Sequence, residues 1–418
     1  MKLFIKYLFL LAVSLSTYGA SVSSVNETTD TLTLSKLYTA ILDYHPLVKS
    51  LSIEVDAARQ MAQYADTRLN PKLEIGYWLE PIQTKAGPTN SKVSLSQKIL
   101  PRSKLRLRKR VELGGVKILE LETIKTIQNL KYDATKMFFE YNFLYKKLKI
   151  LRQNLKLVES WTKLWETHYS HHNFRYPRLV QLQIEMTRIA DQIREVEELI
   201  PNLFQQLTTL VDLQITRPLK PFYKDDLIEY NFTDNSEHNI DLMILEARLQ
   251  KQKFNKSLEE TSLIPNKTIK TEWTSVASRN DSDFNNPWMI GIGIDILVNR
   301  SQIKANVKSQ SSAVKSLHIK LDYLKRDIQS RIRNSMFGID NSRKRYVLLR
   351  DDLLPRTQES LESLQINYSS QANDMDFFGL LETLRALLNI NLEIETTKKI
   401  YFQEVAQFER LSGSSTLQ

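Results

Sequence analysis

Trp288-Met289-Ile290-Gly291-Ile292-Gly293-Ile294-Asp295-Ile296 is the stretch whose pattern decides the fold. Successive side chains of a β-strand point to opposite faces. Trp288, Ile290, Ile292, Ile294 and Ile296 therefore make one face wholly apolar, while Met289, Gly291, Gly293 and Asp295 leave the other small or polar. A strand in a transmembrane barrel needs this division between lipid and lumen. Any half-buried strand shows alternation too, so the pattern gains weight from its surroundings.

Outward from that strand, the chain repeats itself. The hairpin over 266–297 follows Pro265, and a weaker one over 71–99 follows Pro71, with Leu73, Ile75, Tyr77 and Leu79 and then Val93, Leu95 and Ile99 alternating. The strand ends at Leu100 and Leu297 and the turn signatures His168-Tyr169-Ser170 and Asn367-Tyr368-Ser369 recur at a separation of about 195–200 residues, the mark of an internal duplication. The expected organisation is a first repeat over 21–213, a linker over 214–237 carrying Pro218, Pro221, Asn231 and Asp234, and a second repeat over 238–418. Each repeat opens with a helix, continues with its hairpin and ends in a long helical hairpin, over 103–212 and 301–412.

Heptads define those helices. Ile127, Leu130, Ala134, Met137, Tyr141, Leu144, Leu148, Leu151, Leu155, Val158, Thr162, Trp165 and Tyr169 alternate steps of three and four, a left-handed coiled-coil seam. The returning segment repeats it from Leu179 to Leu210, with Pro201 predicting a kink. The outgoing helix reaches about 100 Å at 1.5 Å per residue, more than a globular domain needs. In the second repeat Val314, Leu317, Leu321, Leu324 and Ile328 hold the pattern, it slips around Gly338, and Leu354, Thr357, Leu361, Leu364 and Tyr368 restore it.

Lys2, Lys6, an apolar run from Leu8 and the small residues at Gly19-Ala20 read as a secretory signal peptide over 1–20. No later apolar run approaches the 20 or so residues of a membrane-spanning helix, so a membrane crossing must be made by strands. The chain has no cysteine, which removes disulfides, thiolate metal sites and lipidation at a processed N-terminal cysteine. Its net charge of +10 comes from interspersed basic and acidic side chains, a solvated helical surface and not a nucleic-acid groove. One local excess stands out: Arg102, Lys104, Arg106, Arg108, Lys109 and Arg110 at the start of the first long helix. An anion contact at the inner leaflet or in the periplasm and an exposed first helical turn both account for it, and the exposed turn is the simpler.

No catalytic constellation emerges. There is no nucleophile elbow and no phosphate-binding glycine loop, so the chain reads as a non-enzyme without a cofactor. His168, His171 and His172 cluster at the turn of the first helical hairpin, but no carboxylate follows closely, and a solvated turn is simpler than a metal site.

Four strands cannot close a barrel and an open edge in lipid is forbidden, so oligomerisation is required; three copies give twelve strands. Leu32-Thr33-Leu34 leading to His45-Pro46-Leu47, then Ala57-Ala58, Leu69-Asn70-Pro71-Lys72-Leu73 and Ser96-Gln97-Lys98-Ile99-Leu100-Pro101, resembles the TolC-type outer-membrane efflux proteins, including their heavy-metal and small-molecule branch. That resemblance covers essentially the whole mature chain. It implies a mainly α chain with a small β part, built as a homotrimeric α/β barrel in the Gram-negative outer membrane with a helical tunnel through the periplasm. It further implies a passive duct that works with a periplasmic adaptor and an inner-membrane pump. At the second helical hairpin the family has a glycine where Gln371 stands. Asp374, Asp376 and Glu382 are the candidate acidic ring at the periplasmic entrance, and Tyr169, Phe174 and Tyr368 the candidate adaptor contacts at the hairpin tips. The rival expectation is a secreted or periplasmic coiled-coil scaffold without channel activity.

Overall fold

The computed structural model describes residues 31–84, 87–169, 176–215, 217–223, 227, 236–277, 286–370 and 377–413. The signal segment, His171, His172, Phe174, Asp374 and Asp376 lie outside these, as do the side chains of His168, Tyr169 and Tyr368.

The elements run β1 (Thr31–Leu32), α1 (Leu34–Asp43), α2 (Pro46–Gln63), β2 (Lys72–Tyr77), β3 (Gln83–Thr84), β4 (Gly87–Ile99), α3 (Arg102–Tyr169), α4 (Tyr176–Val211) and β5 (Lys220–Pro221). After the linker come α5 (Ile240–Glu260), β6 (Lys267–Val276), β7 (Trp288–Ile294), α6 (Arg300–Leu348), a π-turn at Leu349–Leu353, α7 (Leu354–Ser370) and α8 (Phe377–Ser412). Thr33 caps α1 by accepting from the Lys36 amide, and Pro46 opens α2 where its missing N–H is not needed. Asn239 caps α5 and donates to the Leu411 carbonyl at 2.8 Å, tying the start of the second repeat to its end.

The heptad positions of α3 form the seam: Ala134, Tyr141, Leu144, Leu148, Leu151, Val158 and Thr162 are buried, facing Leu182, Ile189, Val196 and Ile200 of α4. The α4 helix continues through Pro201. Halfway along the bundle the two repeats are bound together by aromatic rings. Phe139 of α3 stacks on Phe402 of α8 at 4.6 Å, and Tyr223 from the linker packs edge-on to both at 5.0 and 4.9 Å. There β5 pairs in parallel with β1, and the Tyr141 hydroxyl donates to the Leu219 carbonyl at 2.7 Å. Burial pushes the Tyr38, Tyr141 and Tyr223 phenols above their ordinary range, and the Tyr38 hydroxyl shares a 2.6 Å hydrogen bond with that of Thr135.

Around Gly338 the structure corrects the expected slip of the seam. Buried positions step in threes and fours straight through, at Ile328, Ile332, Ser335, Ile339, Ser342, Tyr346 and Leu349. Two serines occupy seam positions, which is why the apolar pattern of the sequence breaks there. The Ser335 hydroxyl donates to the Glu404 carbonyl at 2.9 Å and Ser342 to the Gly338 carbonyl at 2.7 Å. A Cβ on Gly338 would meet the Glu404 side chain at 3.0–3.1 Å, so α6 and α8 approach closely here. The phase changes instead in the π-turn, whose extra residue carries the chain from buried Leu349 to the α7 seam beginning at Leu354.

Ser335→Leu should therefore force α6 away from α8 and cost about 1–3 kcal/mol by overpacking, with Ile339→Ala, a plain cavity, costing about 2–5 kcal/mol. Thermal unfolding of the purified oligomer checks this; a neutral Ser335→Leu would mean that the helices are not in close contact there.

Candidate membrane face and channel wall

All four long strands belong to one antiparallel sheet, in the order β2-β4-β6-β7. Neighbouring residues in register fix its faces. Leu73 lies opposite Leu95 and Ile75 opposite Val93; Val93 opposes Trp273, Leu95 opposes Thr271, and Ile99 opposes Lys267. Trp273 pairs in turn with Trp288, Thr271 with Ile290, Ile269 with Ile292 and Lys267 with Ile294. The apolar positions of the four strands thus fall on one continuous face. It is open to the surroundings: Ile75 is 75 % exposed, Ile290 80 %, Ile292 76 % and Ile296 88 %. An apolar surface of this extent is not left to water in a stable soluble chain.

The opposite face is polar and ion-paired. Lys72 contacts Glu74 at 2.5 Å, Glu272 receives Lys92 at 3.1 Å and Lys270 at 2.6 Å, and Lys98 meets Asp295 at 2.9 Å. Gly291 and Gly293 lie on this side. Where β3 turns into β4, Gly87 has φ +138° and a Cβ there would collide with the Ala277 carbonyl, so only glycine closes that end of the sheet. Among the described residues the edges β2 and β7 have no strand partner on their outer sides. Among the described residues no helix is long and apolar enough to cross a membrane.

No family profile and no curated protein sequence matches the chain. Its shape does match solved structures. The outer membrane protein VceC from Vibrio cholerae superposes with a TM-score of 0.75 at 13% identity, over 91% of this chain and 96% of that one. The chain has the TolC-type outer-membrane channel fold. The Campylobacter jejuni CmeC outer membrane channel gives 0.73 at 15% identity, over 91% and 85%. The open state of the Neisseria gonorrhoeae MtrE outer membrane channel gives 0.73 at 13%, over 91% and 89%.

Within this fold Trp288, Ile290, Ile292 and Ile294 are brought onto the common apolar face, and Ile296 continues it just past the strand. Of the acidic candidates Glu382 is described, exposed on the first turns of α8. One turn further on, Arg385 donates to Glu185 of α4 through Nε at 3.0 Å and Nη2 at 2.6 Å, and that carboxylate is 6 % exposed. This pair joins the helical hairpins of the two repeats. Sequence reasoning missed it because the partners stand 200 residues apart; the one signal was an arginine among the apolar residues Leu381, Leu384 and Leu388. Among the described residues no group of three His, Cys, Asp or Glu side chains is placed to hold a metal.

Ile292→Lys is expected to cost about 2–4 kcal/mol if the side chain sits near the bilayer midplane. Gly293→Ser should be mild, since a Cβ there meets Thr268 at an ordinary 3.6 Å. Reversible unfolding in liposomes measures both; equal tolerance would show that the two faces were assigned wrongly.

Proposed function

We propose that this chain is one protomer of a homotrimeric outer-membrane channel, a passive duct for substrates handed over by an inner-membrane pump and a periplasmic adaptor. One observation carries the reading: an open sheet of four long strands with one exposed apolar face and two unpartnered edges, joined to helices about 100 Å long. In hydrocarbon each edge must find a strand, and copies of the same sheet supply it. The likeness to channels of this shape supports the assignment. A coiled-coil scaffold would need the helices but has no use for a face such as Ile290 and Ile292 present. We read no catalytic role and no nucleic-acid partner. The repeats over 21–213 and 238–418 and the linker over 214–237 then stand as the building units of the tube.

Purified from outer-membrane fractions in detergent, the protein should sediment as a homotrimer and open conducting pores in planar bilayers; a stable monomer without conductance would overturn the proposal.

At the periplasmic end, Asp374, Asp376 and Glu382 are proposed to form acidic rings when three copies meet, and Tyr169, Phe174 and Tyr368 to meet the adaptor. Rings of carboxylates select for cations and bind them at a constriction. Converting all three acids to their amides should weaken cation preference and block by multivalent cations. Unchanged selectivity in bilayer recordings would place the constriction elsewhere.

A further inference from the structure

Immediately beyond the apolar face the surface turns basic, and the side on which each cation stands can be worked out. Lys104 lies within electrostatic reach of Lys98 and Asp295, both on the polar face of the sheet. Residues along a helix are spaced by about 100°. Arg102 and Arg106, two positions either side of Lys104, therefore project to the opposite side, that of the apolar face. Lys267 is already there, in register between Ile99 and Ile294. Arg102, Arg106 and Lys267 are exposed; the exposed Ile99 and Ile294 flank Lys267, and the exposed Ile269 and Ile292 follow next along the same face.

This crowding is unfavourable without a counter-charge. The first turn of α3 holds no acidic residue, and its cations stand at the positive end of the helix dipole. Burial and the neighbouring Arg108 hold the Lys104 ammonium below its ordinary range. By contrast Lys109, on the flank facing α2, is neutralised by Asp66 at 3.2 Å. The second repeat has the same arrangement: α6 begins with exposed Arg300 and Lys304 and no acid in its first turn.

We propose that Arg102, Arg106 and Lys267 form a binding site for the headgroups of anionic phospholipids in the periplasmic leaflet of the outer membrane. Three copies of the chain make a basic collar around the base of the barrel. The site rests on the membrane-channel reading. It adds that the leaflet contributes a ligand as well as a solvent, and that the collar fixes the depth at which the barrel sits. Guanidinium groups suit the task because their planar forks bond phosphate oxygens in pairs. The apolar face that continues through Ile269 and Ile292 receives the acyl chains, which is what distinguishes a lipid site from a site for free phosphate.

The full-length oligomer, reconstituted in nanodiscs of phosphatidylethanolamine with or without phosphatidylglycerol, tests the proposal by native mass spectrometry of the lipids that remain bound. Wild type should retain phosphatidylglycerol preferentially. The preference should weaken about fivefold for each cation replaced in R102Q, R106Q and K267Q. K104Q, on the polar side, should leave it unchanged, and it controls for a general loss of charge or of folding. Inorganic phosphate at millimolar concentration should not displace the lipid. Equal retention by wild type and the triple variant, an effect of K104Q as large as that of R106Q, or full displacement by inorganic phosphate would each overturn the lipid site while leaving the channel intact. Failure of the wild type to insert into bilayers would overturn the channel reading along with it.

Discussion

A strand edge cannot stay bare in hydrocarbon. Each unpaired backbone N–H or C=O left there costs several kcal/mol, with no water to offset it. In this chain β2 and β7 are such edges, and between them lies a sheet that is apolar on one side and ion-paired on the other. The rest of the architecture follows from that constraint. One chain supplies too few strands to close, so the proposed channel leaves closure to symmetry, with heterologous edges meeting around a ring. In that proposed assembly the long helices share the symmetry, because α3 begins within three residues of β4 and α6 within six of β7.

Holding a tube of such length in shape requires the two repeats to act as one body. The stack of Phe139 on Phe402, with Tyr223 across them, locks α3 to α8 at mid-height. The Arg385–Glu185 pair joins α4 to α8 near the hairpin ends. Beside the aromatic stack, at Glu404, the close approach of α6 and α8 at Ser335 and Gly338 lets the second repeat pack tightly, and the π-turn re-phases its seam before the helix reaches Trp161, Leu361 and Leu384.

Much of the fold class was legible in the sequence because it depends on periodicity. Alternation at Trp288–Ile296 and unbroken heptads from Ile127 to Tyr169 are local patterns that survive without any tertiary information. Pairings between distant residues were not legible. Nothing local announces that Val93 will stand beside Trp273 or that Glu185 will receive Arg385. The seam through Ser335 and Ser342 misled for a physical reason: a serine that bonds a carbonyl packs as a small core residue, while a hydrophobicity pattern counts it as polar. Of the candidate site, the apolar strand face could be read from residue types, whereas its continuity across four strands needed the register.

The central claim is that β2 of one copy pairs with β7 of the next. The native chain has no cysteine, so it offers a clean background for a direct test. Ile75→Cys combined in turn with Trp288→Cys, Ile290→Cys or Ile292→Cys and then oxidised in outer-membrane fractions should, in the native register, yield a covalent trimer on denaturing gels under non-reducing conditions. Cross-linking that stops at dimers, or chains that stay monomeric in every combination, would contradict a barrel closed by three copies.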